Sequence, residues 1–206
     1  MPALPSVIAV SRIFAEGGAV RLPGLLAPAD LAEIETDALR VRASGRRNVL
    51  AISSAAEDRG GNPDRAFTTA HGGPSHWRTF TTASLIDAVR EICGVVCSPA
   101  GGGTYTYYEP GDFLGLHRDI EKCDLTVISC LRQTGQSGGG ALRVYSRHMD
   151  DPLSNARAAG RDASIEFSLA RGESLALLGG FVPHEVTPMQ PGQERIVAIM
   201  CYAIPV

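Results

Sequence analysis

The chain is short of basic charge. Its 206 residues include 19 Lys or Arg against 22 Asp or Glu, a formal net charge of −3. That balance argues against a nucleic-acid binder relying on a basic surface. Lys122 is the only lysine, while arginine is abundant. Long apolar runs are missing: nothing approaches the roughly 18 consecutive apolar residues of a membrane span. The opening MPALPSVIAVSRIF has no positive stretch before its short apolar run and no clear cleavage site after it. The expectation is a cytoplasmic protein with no membrane partner and no nucleic-acid partner. Cysteine is sparse and odd in number (Cys93, Cys97, Cys123, Cys130, Cys201). Cys93 and Cys97 are separated by three residues and no second pair follows, so zinc-knuckle spacing is absent. Without a secretion signal, reduced thiols buried as small apolar side chains are expected. There is no internal repeat, and the glycine triplets at 101–103 and 138–140 lack the Lys-Ser/Thr of a phosphate loop.

What is present suffices for a core: 44% of the residues are apolar, so folding needs neither disulfides nor zinc. The length fits a single domain, 1–206. Residues 1–100 read as a strand, helices and a loop-rich lid segment, and 101–206 as a strand-rich core. Ala19–Leu22 predicts a short strand. A helix follows, starting near Pro28 to Asp30, with Leu31, Ile34 and Leu39 as its stripe. Residues 43–80 carry two Gly-Gly pairs, two prolines and many charges, and read as a long functional or mobile loop. TTASLIDAVREICGVV predicts a second helix capped by Thr82, with Leu85, Val89 and Ile92 on one face. From Gly101 onward eight strand-like segments succeed one another: TYTYYEP, FLGLHRD, DLTVISCLR, GALRVYSR, ASIEFSLA, SLALLG, HEVTPM and ERIVAIMCYAI. There is no room between them for crossover helices, which indicates antiparallel pairing in a sandwich or barrel. Residues 148–162 read as a loop insertion.

One tripeptide in the second of these segments carries chemistry. On a strand, His117 and Asp119 point to one face and Arg118 to the other, so the first two can share a metal. His184, near the start of a late strand, can be brought opposite them by a barrel. His71, His76 and His148 lie in less rigid places. Two His and one carboxylate on one face of an octahedron leave three open positions, the ligand set of non-heme Fe(II) oxygenases. A catalytic zinc hydrolase can use the same ligands. Arg195 separates the two readings. It lies 11 residues after His184, and a hairpin through Pro188 to Gly192 would return it to the same cavity. There its guanidinium can hold the distal carboxylate of 2-oxoglutarate, which zinc hydrolysis does not require.

His117-Arg-Asp119, His184-Glu-Val-Thr-Pro and Arg195 together resemble the Fe(II)/2-oxoglutarate-dependent dioxygenase superfamily, in particular its prolyl 4-hydroxylase-like branch. Tyr108-x-Pro-Gly-x₅-His-x-Asp and Gly139-Gly-Ala-Leu-Arg-Val-Tyr145 are similar to core strands of that branch, and the likeness covers roughly residues 101–204. It implies a mainly β fold with flanking α, a double-stranded β-helix (jelly-roll, cupin-like) with N-terminal helices packed on one sheet. It implies iron on His117, Asp119 and His184, and 2-oxoglutarate on Arg195. Tyr108 is the implied hydrogen-bond partner of that co-substrate, with Tyr107 as the alternative one residue away. Ser129 and Thr126 are candidates for a second anchor. The arginine follows the histidine at a slightly longer interval than is common in the branch. Asp119 excludes the related halogenases, which lack that carboxylate. The expected cofactors are Fe(II), 2-oxoglutarate as co-substrate and O₂, with ascorbate in support.

The expected activity is oxidation, typically hydroxylation, of an unactivated C–H bond with release of succinate and CO₂. The expected substrate is a small molecule such as an amino acid or a specialised-metabolite intermediate, with a protein prolyl or peptidyl target as the alternative. A metal-dependent hydrolase and a non-catalytic iron- or 2-oxoglutarate-binding module are weaker alternatives. Trp77, the only tryptophan, either lines a substrate pocket or pins a loop to the barrel. Arg143 would favour an anionic substrate if its strand directs it inward. No oligomeric state follows from the sequence.

Overall fold

The computed structural model describes residues 4–52, 59–135 and 139–205. Four strands precede Gly101: β1 (Ala19–Arg21), β2 (Arg46–Leu50), β3 (Arg65–His71) and β4 (Ser98–Pro99). Each of the eight segments after it forms a strand: β5 (Thr104–Tyr108), β6 (Phe113–His117), β7 (Leu125–Thr134), β8 (Leu142–Val144), β9 (Ile165–Phe167), β10 (Ser174–Leu177), β11 (His184–Val186) and β12 (Glu194–Ala203). The strands pair in the order β1-β10-β7-β12-β5-β3-β6-β11-β8-β9, with β2 added beside β3 and β4 beside β12. All of the pairings are antiparallel. The sheet curls on itself, so that β6, β11 and β8 face β5, β12 and β7 across a cavity. This is the double-stranded β-helix.

Alternation along the strands sorts side chains between the cavity and an outer layer. On β5, Thr104, Thr106 and Tyr108 line the cavity. Tyr105 and Tyr107 point outward beneath α2 (Pro28–Val41, the second helix after α1, Arg12–Ala15). There the Tyr105 hydroxyl donates to Asp37 at 2.8 Å and the Tyr107 hydroxyl to the Ala38 carbonyl at 2.6 Å. The α2 helix begins with Pro28 and buries Leu31, Ile34 and Ala38. Leu39, expected in the stripe, is instead largely exposed. One residue of helix is a 100° turn, and Ala38 is small enough to sit against the tyrosine layer. After α3 (Pro74–Phe80), α4 (Ala83–Cys93) is capped by Thr82, whose hydroxyl accepts from the Leu85 amide. It buries Leu85, Val89 and Ile92 as its spacing predicts.

Four expectations need correction. Residues 43–80 are not a loop: they hold β2, β3 and α3, and β3 is inserted between β5 and β6. Short strands with threonine and few large apolar residues give too weak a period to show in the sequence. Residues 53–58 of that segment lie outside the described residues. The 148–162 insertion is partly helical, with α5 at Leu153–Ala159. His184 and Arg195 are not on two strands of one hairpin, because β11 pairs with β6 and β8 while β12 pairs with β5 and β7. Finally, Cys123 and Cys201 form a disulfide although 78 residues apart. Pairing of Thr126 with Cys201 in the β7–β12 ladder draws that end of β7 alongside β12, and the two cysteine Cα atoms lie 4.7 Å apart. Cys93, Cys97 and Cys130 are free and buried.

Candidate active site

His117 ends β6 and His184 begins β11, and the two residues are directly opposed in the antiparallel register. Their rings lie 4.2 Å apart between centroids. Each imidazole is fixed by its own chain: Nδ1 of His117 donates to the Gly115 carbonyl and Nδ1 of His184 to the Val182 carbonyl, both at 2.9 Å. With the proton on Nδ1, each Nε2 keeps a free lone pair, as a metal ligand requires. Both Nε2 atoms face one carboxylate oxygen, Oδ1 of Asp119, at 3.5 Å and 3.6 Å. One donor atom from each of the three residues lies within 4.8 Å of the other two, the only such group among the described residues. Burial and the neighbouring His184 push the His117 pKa down, keeping the ring neutral. Burial alone would raise the Asp119 carboxyl, but the two histidines outweigh it and hold it well below the usual carboxylate range. An ionised carboxylate beside a neutral His117 ring is ready to bind a divalent cation.

Three further residues shape this group, of which Gly179 and Arg59 carry no signal in the sequence. The Asp119 amide donates to the Gly179 carbonyl at 2.8 Å. A Cβ at Gly179 would lie 2.0 Å from Asp119 Oδ2, so only glycine leaves room for the carboxylate. Thr126, considered above as a co-substrate anchor, instead donates its hydroxyl to Asp119 Oδ2 at 2.5 Å. That bond occupies one oxygen and turns the other toward the histidines. Arg59 closes the rim: its guanidinium reaches the carbonyls of Ile120 (3.0 Å) and Glu121 (3.2 Å) and pairs with Asp124 at 2.8 Å. Arg118 points away from the metal group, as the alternation requires, with Nε on the Phe181 carbonyl at 2.7 Å.

Arg195 lines the same cavity from the facing sheet and is only 6% exposed. Its Nη1 donates to the Gly140 carbonyl, and its guanidinium carbon lies 5.0 Å from the centre of the Tyr108 ring. Among the described residues Arg195 has no carboxylate partner, and its buried Nε has no hydrogen-bond partner. Burial pulls its pKa down, yet a guanidinium remains a cation in any protein. A buried cation without an anion is costly. The cavity between Arg195 and the metal group has a volume of about 520 Å³ and mostly apolar walls.

No family model and no curated protein matches the sequence. Solved structures do match in fold. A Pseudomonas putida prolyl-4-hydroxylase superposes with a TM-score of 0.65 at 18% identity, covering 97% of this chain and 100% of that one. A 2OG-Fe(II) oxygenase family oxidoreductase from Burkholderia pseudomallei gives 0.62 at 16% identity, covering 98% and 92%. The epimerase SnoN of nogalamycin biosynthesis, solved with Fe³⁺, alpha-ketoglutarate and a nogalamycin compound, gives 0.68 at 16% identity, covering 93% and 80%. The chain has the fold of the 2OG-Fe(II) oxygenases.

Within this oxygenase fold the sequence-derived residues fall into two groups. His117, Asp119, His184, Arg195 and Tyr108 meet in one cavity. Tyr108 is fully buried there, which pushes its pKa up to about 12 and keeps the phenol protonated as a donor. The other four lie elsewhere. Tyr107 is turned to α2, on the opposite face of β5 from Tyr108. Ser129 is buried against Ser174, hydroxyl to hydroxyl at 2.7 Å. Arg143 faces outward, paired with Glu166 at 2.8 Å and Glu185 at 3.3 Å. Trp77 sits on α3, half exposed and away from the cavity wall. Strand alternation decides all three strand residues, but its phase is set by which neighbours pair.

Proposed function

We propose that this chain is an Fe(II)- and 2-oxoglutarate-dependent dioxygenase that oxidises a small molecule. The observation that carries the reading is the buried, anion-free guanidinium of Arg195 in the same cavity as a His-Asp-His group. The donor set fits the metal: two Nε2 lone pairs and one carboxylate oxygen converge, and the remaining space borders an open cavity and not further ligands. It suits the co-substrate too, since Arg195 supplies a cation for one carboxylate of a dicarboxylate in the cavity that the metal group also lines. When bound, the iron and 2-oxoglutarate with O₂ supply the oxidising power to break an unactivated C–H bond, with succinate and CO₂ as products. The protein's own residues do the rest. Arg195 binds the distal carboxylate through a charge-assisted pair and Tyr108 adds a phenolic donor beside it. The apolar walls exclude water, and Gly179 and Thr126 fix the carboxylate ligand.

The cavity volume supports a small-molecule substrate, because about 300–1,000 Å³ is the size that encloses a drug-sized ligand. A peptidyl-prolyl target remains the second reading. The decisive experiment is succinate release with Fe(II), ascorbate and 2-oxoglutarate, alongside anaerobic binding of 2-oxoglutarate to the iron form. Arg195→Gln should weaken 2-oxoglutarate by about 2–5 kcal/mol, roughly 30-fold or more, as expected for one side of a buried charge pair. A metal hydrolase would lose nothing. Failure of the iron form to bind 2-oxoglutarate would sink the dioxygenase reading.

A further inference from the structure

The cavity has a closed end and a mouth. On β12 the residues Arg195, Val197, Ile199 and Cys201 alternate along one face and all line it. Six residues of strand at about 3.4 Å each separate Arg195 from Cys201 by roughly 20 Å. Arg195 and Tyr108, at one end, are buried. At the other end Gly101, Gly102, Ile120 and Lys122 line the cavity and are exposed. Asp119 is tied to this open half through Thr126, which pairs with Cys201. A co-substrate held by Arg195 therefore occupies the closed end, and a substrate approaches from the Lys122 side.

The charges along this path are few. Among the described residues that line it, Lys122 and Arg195 are the only Lys or Arg and Asp119 is the only carboxylate. Asp119 is already committed to the two histidines and to Thr126. Lys122 has no ion pair among the described residues. Its position is fixed from both sides: Cys123 is bonded to Cys201, and Arg59 holds the carbonyls of Ile120 and Glu121. The cavity wall also carries Ile120, Ile128 and Ile199, with the hydroxyl of Thr104.

Resting on the dioxygenase reading, we propose that the substrate is an apolar molecule bearing one anionic group, and that Lys122 is the specificity-determining residue that meets that group at the mouth. An ammonium group entering the same path would meet, among the described wall residues, no carboxylate but Asp119, and would lie beside a cation. Free amino acids are therefore disfavoured as substrates, since their ammonium would be desolvated without compensation.

The test uses three probes of one chain length, octanoate, octan-1-ol and octylamine. They are titrated calorimetrically into protein loaded with Mn(II) and the co-substrate analogue N-oxalylglycine, so that Arg195 is occupied. Octanoate should bind at least tenfold more tightly than octanol, with octylamine weakest. Lys122→Ala should bring octanoate to the octanol level, and Lys122→Glu should place octylamine above octanoate. Equal binding of octanoate and octylamine, a carboxylate preference that survives Lys122→Ala, or no binding of any probe would overturn the proposal. Repeating the titration in Arg195→Gln leaves Lys122 as the only Lys or Arg among the described wall residues. The role of Lys122 is then decided whether or not N-oxalylglycine binds, and failure of N-oxalylglycine itself would count against the dioxygenase reading alone.

Discussion

Replacing Gly179 by alanine puts a methyl group where a ligand carboxylate now lies. The added Cβ would stand 2.0 Å from Asp119 Oδ2, 2.9 Å from its Cγ and 3.1 Å from Thr126 Oγ1. Gly179 is not in the left-handed region, so alanine meets no backbone penalty and the whole effect is this collision. An ordinary carbon–oxygen contact needs more than 3 Å, so the carboxylate must swing by over 1 Å, breaking the Thr126 bond and turning Oδ1 off the histidines. If the site resists, overpacking costs about 1–3 kcal/mol of stability. If it yields, the metal loses a ligand or the hydrogen bond that orients it, and affinity should fall about 10- to 100-fold, the range for losing a partner that orients a metal ligand. Mn(II) or Co(II) titration of the apo-protein, paired with thermal unfolding, reads both outcomes. Gly102→Ala is the control, because nothing lies within 4 Å of its added Cβ. Unchanged metal affinity together with unchanged Tm in Gly179→Ala would refute the placement of Asp119.

Two further predictions concern stability. Reducing the Cys123–Cys201 bond, or replacing both cysteines by serine, frees a 78-residue loop. The chain-entropy model assigns such a loop about 4.5 kcal/mol, which for a chain of this size lowers Tm on the order of 10 °C. An equal Tm with and without reductant would show that the bond does not contribute. His76 is fully buried, stacked on Phe80 at 4.7 Å and edge-on to Tyr105 at 5.0 Å, and burial pulls its pKa from 6.5 down to about 4. The unfolded chain therefore binds the His76 proton first as pH falls. This contribution to stability is intact above pH 6.5 and is lost progressively down to about pH 4, amounting to about 3 kcal/mol. Urea midpoints measured between pH 7 and 4.5 should fall more steeply in the natural protein than in His76→Gln; parallel curves would contradict this origin.

Much of the architecture is legible in the sequence because it is local. Eight period-2 segments separated by turn residues after Gly101 gave eight strands, and Thr82 with Leu85, Val89 and Ile92 gave the capped helix. The metal group was also legible from its His-x-Asp spacing, although β6 ends at His117 and Asp119, just past it, is placed by Gly179 and Thr126. What lay beyond reach depends on which strands become neighbours. The phase of alternation puts Tyr108 inside and Tyr107 outside only because β5 pairs with β12 on one edge and β3 on the other. Arg195 reaches the cavity across facing sheets and not by a hairpin. The Cys123–Cys201 bond, the grip of Arg59 on the rim and the space that Gly179 leaves for Asp119 join residues 60 or more positions apart. A sequence read in short windows carries periodicity and ligand type. Register and long-range approach are set only when the whole sheet closes, because they depend on the shared burial of every strand in it.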